Sequence, residues 1–288
     1  MAKTSDLNGA SQKTGIEWTN RTWNPTTGCD KISAGCKHCY AEPLAARLQA
    51  MGNPRYTNGF ALTLHPDKVR EPLGWRTPEL VFVNSMSDML HRDIPIAFIL
   101  DCFDTMIRAN WHTYQILTKR PERWEEVTAA VLARFGHWPN NVLPGATVEN
   151  RKALPRLEML AKAGDAAAVR MISVEPLLES LGSPEELGPR LRAAGIGWAI
   201  TGGEAGWDAR PAELDWFREV RDACALAGVP FFHKQHGGVG VTKDVKRGGT
   251  LAVLDGQLHH AMPVVKLGAP PTSGKGAKGR SLPMFEGA

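Results

Sequence analysis

The sequence contains no run of about 18 apolar residues, and its first stretch, "MAKTSDLNGASQKTG", has no apolar core. Neither a membrane span nor a secretion signal is expected, so the chain reads as cytoplasmic with no membrane partner. Charge of one sign is also scarce. A net charge of +4 tolerates an anionic partner but is far from the dense Lys/Arg stripe of a dedicated DNA binder. Aromatic residues make up only 7%, and the Trp residues are scattered without a stacking motif; Trp207 is one that would reach a nucleobase if it lay near a site. Cysteine is limited to 5 residues, an odd count, and a reducing compartment disfavours disulfides. Yet three of them crowd into one stretch, "TTGCDKISAGCKHCYA", from Thr26 to Ala41.

What is present is the composition of a folded protein, with 43% hydrophobic and 22% charged residues. Residues 1–15 are polar and read as a flexible N-terminus. The Gly/Pro/Lys-rich stretch 266–288, with Lys266, Lys275, Lys278 and Arg280, reads as a disordered basic tail. The body, 16–265, is expected to be a single domain.

Within that body, β-branched and aromatic runs recur at about the spacing of a βα unit: "LVFVNSMSD" from Leu80, "YQILTKR" from Tyr114, "VLPGATVEN" from Val142, "VRMISVEP" from Val169, "GWAITGGE" from Gly197 and "PFFHKQHG" from Pro230. "RTWNP" from Arg21 and "FALTLHP" from Phe60 are candidate first and second strands. Between the runs, "IAFILDCFDTMIRAN", "RKALPRLEMLAKAG" and "ELDWFREVRDACALAG" carry apolar residues at helical spacing, the last two ending at Gly164 and Gly228. The pattern predicts an α/β fold of seven or eight parallel strands, a complete or partial TIM-like (β/α) barrel, with an open doubly wound sheet as the alternative. In either fold ligands gather at the C-terminal ends of the strands. Those ends hold Asn84, Ser85 and Asp88; Thr118, Lys119 and Arg120; Glu149; Glu175; Gly202, Gly203 and Glu204; Lys234 and Gln235.

Cys29, Cys36 and Cys39 have the spacing C-x6-C-x2-C, directly after the first candidate strand. Three thiolates bind three irons of a 4Fe–4S cube and leave the fourth iron open. The alternative is a closed structural zinc site completed by His38 or His65. On spacing the two are evenly matched; the barrel context favours the cluster. Cys102 and Cys224, inside amphipathic helices, read as core thiols.

The strings "IEWTNRTWNPTTGC", "SAGCKHCYAE", "VFVNSMSDML", "ILTKRPERW", "PGATVENR", "ISVEPLLE", "AITGGEAG", "RPAELDW", "VPFFHKQHGG" and "LAVLDG" run in order from Ile16 to Pro263. Together they resemble a phage and bacterial family of three-Cys-motif proteins, radical-SAM-like and without an assigned reaction. The resemblance implies a cluster-bearing barrel whose open iron chelates S-adenosylmethionine, and a reaction begun by a 5′-deoxyadenosyl radical. The chain departs from the pattern in its six-residue first gap, where the commonest spacing has three, in His236 and in "LHHAMP" from Leu258.

Under that reading Asn84, Ser85 and Asp88 offer acceptors to the methionine ammonium, and Thr118, Lys119 and Arg120 offer donors to its carboxylate or to a phosphate. Glu149 suits the ribose hydroxyls. Gly202 and Gly203 permit close backbone approach of a ligand beside Glu204. Glu175, Lys234 and Gln235 are the candidate catalytic residues, for acid/base work and substrate contact. The expected function is a radical-SAM-like enzyme, with DNA, RNA or a nucleotide as substrate for base modification or repair and an unidentified electron donor. A zinc-stapled binding barrel, and a cluster used only for electron transfer, are the rivals.

Overall fold

A computed structural model describes residues 14–239, 250–265 and 267–270. The flexible start and the basic tail expected from sequence, including Lys266, Lys275, Lys278 and Arg280, fall almost wholly outside the described residues.

Seven strands form the main sheet: β1 (Arg21–Trp23), β2 (Leu80–Val83), β3 (Thr113–Thr118), β4 (Val142–Thr147), β5 (Arg170–Val174), β6 (Ile196–Gly202) and β7 (Phe231–Gln235). They lie side by side in chain order, every neighbouring pair parallel. The crossovers carry helices α1 (Ala41–Ala50), α2 (Ile96–Arg108), α3 (Trp124–Phe135), α4 (Arg156–Leu160), α5 (Pro184–Ala193) and α6 (Leu214–Ala227). This is the expected α/β architecture in its partial form, since β1 and β7 are edges and do not pair with each other.

Period-two alternation divides the strand residues between two cores. Phe82, Leu143, Met171, Trp198, Ile200 and Phe232 join Trp18 on the concave side. Val81, Val83, Tyr114, Ile116, Ile172, Val174 and Phe231 pack outward beneath the helices. Each large side chain so buried contributes about 1.5–3 kcal/mol. The free edge of β7 is covered by the chain end, where His233 N–H donates to His259 O at 2.7 Å and Ala261 N–H to Phe231 O at 3.2 Å. Met262 and Val265 pack into the concave cluster.

Two expectations about elements need correction. "FALTLHP" is not the second strand of the sheet: Thr63–Leu64 pairs antiparallel with Thr26–Thr27, outside it. It lies within the long β1-to-β2 connection, where α1 already makes the crossover. "RKALPRLEMLAKAG" is not one helix ending at Gly164, because a 3₁₀ turn at Arg151–Ala153 precedes an α4 of only 5 residues. Pro155 lacks the N–H that would continue the turn into the helix. By contrast α6 ends at Gly228, left-handed at φ 71°, as its sequence predicts.

Candidate functional site

The cysteine loop leaves the sheet at the end of β1 and is pinned at its base. Gly28 N–H donates to Met86 O at 2.9 Å and Cys29 N–H to Phe60 O at 3.1 Å. Gly28 has φ +81°, and a Cβ there would stand 2.2 Å from Ala61 O, so only glycine fits. Cys36 closes a 3₁₀ turn at Ala34–Cys36, and Cys39 lies two residues before α1. All three thiols are free and half-buried, whereas Cys102 and Cys224 are buried in helices α2 and α6.

The strand ends meet this loop from below. Gly35 N–H donates to Glu149 Oε1 at 3.4 Å, and Lys119 Nζ reaches Thr147 Oγ1 at 3.5 Å. A Cβ on Gly35 would be 3.3 Å from both Glu149 and Lys119 side-chain carbons, so the loop rests on those two residues. Burial works against the Cys36 thiolate, but backbone bonding from Ile32 and the Lys119 charge outweigh it and bring the thiol below its ordinary range. At Cys29, burial and the nearby Asp88 charge push the thiol up, and Arg120 opposes them.

Asp88, Thr118 and Arg120 form one buried unit beneath Cys29. Asp88 Oδ1 accepts from the Thr118 hydroxyl at 2.7 Å, and its Oδ2 accepts from Lys119 N–H and Arg120 Nη1, each at 3.1 Å. Arg120 Nη1 also donates to Cys29 Sγ at 3.4 Å. These three residues therefore face one another and the sulfur.

Glu149 is fully buried and paired with Arg156 at 2.7 Å. Burial opposes its charge, but bonds from Ser33 and the Arg156 charge hold its carboxyl below the usual range. Glu204 is likewise clasped by Arg210, through Nη2 at 2.6 Å and Nε at 2.9 Å. Burial again works against the charge and Arg210 wins, keeping this carboxyl low. Arg156 and Arg210 were invisible in the sequence because neither holds a periodic position relative to its partner: one follows a 3₁₀ turn, the other an irregular loop.

Glu175 and Lys234 form an ion pair. The register of β7 against β6 slips between His233 and Gln235, so Lys234 is an extra residue whose side chain is re-aimed. The glycine pair lies close to this chain's own atoms. A Cβ on Gly202 would sit 3.0 Å from Glu175 Cδ, and one on Gly203 would sit 1.8 Å from His236 O. Along the Cβ directions the close approach is made by this chain's own atoms.

Among the described residues three buried amide oxygens have no partner, Asn84 Oδ1, Gln115 Oε1 and Gln235 Oε1, and the first and last of these lie at strand ends. The Asn84 amide orientation is fixed: Ser87 Oγ donates to Thr26 O at 2.9 Å, so the Thr26 hydroxyl donates to Ser87 Oγ and must accept from Asn84 Nδ2 at 2.7 Å. Asn84 also has φ +60° at the end of β2, a conformation that asparagine tolerates better than most residues. Gln235 Nε2 donates to Gly203 O at 2.7 Å. Ser85 exchanges hydrogen bonds with Asn24 and accepts at its carbonyl from Tyr40, a residue the sequence reading passed over. Beside the loop lies a cleft of about 660 Å³ lined by Ile32, Ser33, Glu149, Lys152, Arg156 and Arg210, among others.

The donor chemistry can be tested against a metal. Among the described residues, the trio whose donor atoms all lie within 4.8 Å of one another is Asp30, His91 and Asp93, not the cysteines. Tetrahedral zinc with Zn–S of about 2.3 Å needs sulfurs about 3.8 Å apart. The three thiols are not gathered within that 4.8 Å limit. Of the two histidines offered for a zinc site, His65 is buried and bonded to the Thr27 hydroxyl at 2.9 Å, and His38 is exposed.

No curated protein matches the sequence. Among solved structures, a mutant of spore photoproduct lyase is similar at 12% identity and TM-score 0.45, with 71% of this chain and 61% of that chain covered. Spore photoproduct lyase complexed with dinucleoside spore photoproduct has 12% identity and TM-score 0.43, over 69% and 58%. A further mutant, with bound AdoMet and dinucleoside spore photoproduct, has 13% identity and TM-score 0.44, over 78% and 64%. The chain thus spans about 60% of the length of these proteins. A family model described as "Protein of unknown function (DUF5131)" matches residues 13–263, nearly the whole folded body, and the chain belongs to that family.

Proposed function

We propose that the chain is a radical-SAM-like iron–sulfur enzyme, with Cys29, Cys36 and Cys39 holding a 4Fe–4S cluster and the strand ends holding S-adenosylmethionine. The observation that carries this reading is the placement of three free thiols, and no fourth, on one loop resting on Lys119 and Glu149 at the C-terminal end of a parallel sheet. When bound, the cluster and cofactor would supply reductive cleavage of the sulfonium to a 5′-deoxyadenosyl radical that takes a hydrogen atom from substrate.

The residues divide by what their neighbours leave free. Asn84 Oδ1, buried without a partner, is the acceptor offered to the methionine ammonium, and Lys119 is the cation offered to the carboxylate. Glu149 holds the loop at Gly35 and shapes the adjoining cleft. Glu175 and Lys234 form an ion pair, the acid/base couple proposed for substrate, with Gln235 Oε1 as a further acceptor. Gly202 and Gly203 let those elements meet, and Glu204 shapes the following loop through Arg210.

The substrate class proposed is a nucleic-acid base, acted on for modification or repair. Its support is the net charge of +4 and Trp207, 84% exposed three residues beyond Glu204 and offering a stacking face. An external electron donor completes the scheme.

The test is anaerobic purification with iron, sulfide and zinc analysis, followed by electron paramagnetic resonance of the dithionite-reduced protein with and without S-adenosylmethionine. The expected result is a reduced 4Fe–4S signal that shifts with the cofactor, disappears in Cys36→Ala and survives in Cys102→Ala. Stoichiometric zinc without sulfide, or a signal indifferent to the cofactor, overturns the reading. Salt-dependent affinity for single-stranded DNA or RNA checks the substrate class; no affinity at low salt sinks it.

A further inference from the structure

Arg120 is only 5% exposed, a guanidinium removed from water. Its Nη1 reaches Asp88 Oδ2 at 3.1 Å and Cys29 Sγ at 3.4 Å, and its Nη2 donates to Asp30 O at 3.3 Å. The anchors are themselves anchored. Asp88 Oδ1 accepts from Leu90 N–H at 3.0 Å as well as from Thr118, and the Arg120 N–H donates to Thr118 Oγ1 at 2.8 Å. Swinging this side chain toward a ligand in the mouth would leave a buried carboxylate unpaired.

The sulfurs are treated unequally. Cys29 has a buried, permanently charged donor, while Cys36 has the Ser33 hydroxyl at 3.7 Å and the Lys119 charge. Hydrogen bonds and charge at a cluster thiolate favour the more negative, reduced state. The geometry points to Arg120 as a positioning residue that orients the Cys29 thiolate and raises the reduction potential of the cluster, an inference resting on the reading above. This replaces the methionine-carboxylate role that its place in "TKR" implied. Reduction here is the transfer of one electron from an external donor, dithionite in the test.

Three variants test it: Arg120→Lys, Arg120→Gln, and the double variant Asp88→Asn with Arg120→Gln, which removes both buried charges together. Anaerobic protein is analysed for iron and sulfide, then titrated with dithionite and mediators while the reduced cluster is followed by electron paramagnetic resonance. In Arg120→Gln the reduced-to-oxidised ratio at a fixed potential should fall about tenfold, a shift of about 59 mV to more negative values for a one-electron couple, and the double variant should fall less, because losing the Asp88 charge works in the opposite direction. Arg120→Lys should fall between, since it keeps the charge but loses the planar fork. If the Gln variants do not fold, the Lys variant decides. Cluster-bearing variants that titrate at the wild-type potential overturn the inference. Wild-type protein holding zinc without sulfide overturns the functional reading instead, so the two failures are distinct.

Discussion

Glu175 and Lys234 meet over Gly202, the residue on β6 that separates their two strands. The pair exists because β6 presents no side chain at that point and because the register slip at Lys234 turns its side chain toward Glu175. Both side chains keep about a fifth of their exposure, 23% and 18%, so each can reach a ligand at the mouth.

Removing either charge should therefore affect chemistry more than folding. If the proposed function holds, Glu175→Gln and Lys234→Met are each expected to lower conversion of the nucleic-acid substrate at least about tenfold, while stability changes by no more than about 1 kcal/mol, as for other partly exposed pairs. Product chromatography and urea midpoints measure the two. A variant that unfolds early yet converts substrate normally when folded would show the pair to be structural.

Gly203→Ala should behave in the opposite way. Its Cβ would fall 1.8 Å from the backbone oxygen of His236, and backbone cannot give way as a flexible side chain does. Overpacking of this kind costs about 1–3 kcal/mol or more. The expected outcome is a lowered urea midpoint and loss of soluble protein; a wild-type midpoint would mean that β6 and β7 separate more easily than their contacts imply.

Two buried histidines predict acid sensitivity. Burial first, and the neighbouring His236 next, depress His233 to about 3, and burial depresses His112 to about 4, against an ordinary 6.5. The neutral tautomers are built in. His236 Nε2 donates to Val253 O, so its Nδ1 accepts from His233 Nε2, and His233 Nδ1 accepts from Thr201. His112 Nδ1 accepts from Glu79 N–H and its Nε2 donates to Pro72 O. Because the unfolded chain binds these protons first, the stabilisation is complete above pH 6.5 and is lost as pH falls toward the folded values. Each histidine contributes a slope of up to about 1.4 kcal/mol per pH unit in that window. Urea unfolding at pH 7 and pH 5 measures it, and His233→Gln should flatten the dependence; an unchanged slope would rule out His233 as its source.

Much of this molecule was legible in its sequence, for reasons that are local. Four-residue runs such as "LVFV" are buried on both faces, which is the signature of a parallel strand, and Gly228 caps α6 because only glycine takes its left-handed conformation cheaply. The helical burial of Cys102 and Cys224 followed from apolar neighbours at spacings of three and four. The proximity of the cysteine loop to the strand ends also followed, because a parallel sheet delivers all its C-terminal ends to one side. What the sequence by itself determined was therefore the α/β class and the parallel strands, whose C-terminal ends share one side.

Only the tertiary structure decided how the residues at those ends are spent. Arg120 faces Cys29 rather than the open mouth because Asp88, 32 residues earlier, lies across from it. Glu149 and Glu204 are held by arginines at positions no periodicity marks, and Glu175 and His236 pack against Gly202 and Gly203. The physical reason is common to all of these: a charge taken out of water must find its partner in space, and that partner is set by register, bulges and loop packing between distant segments. Chain order alone does not encode it in any local pattern.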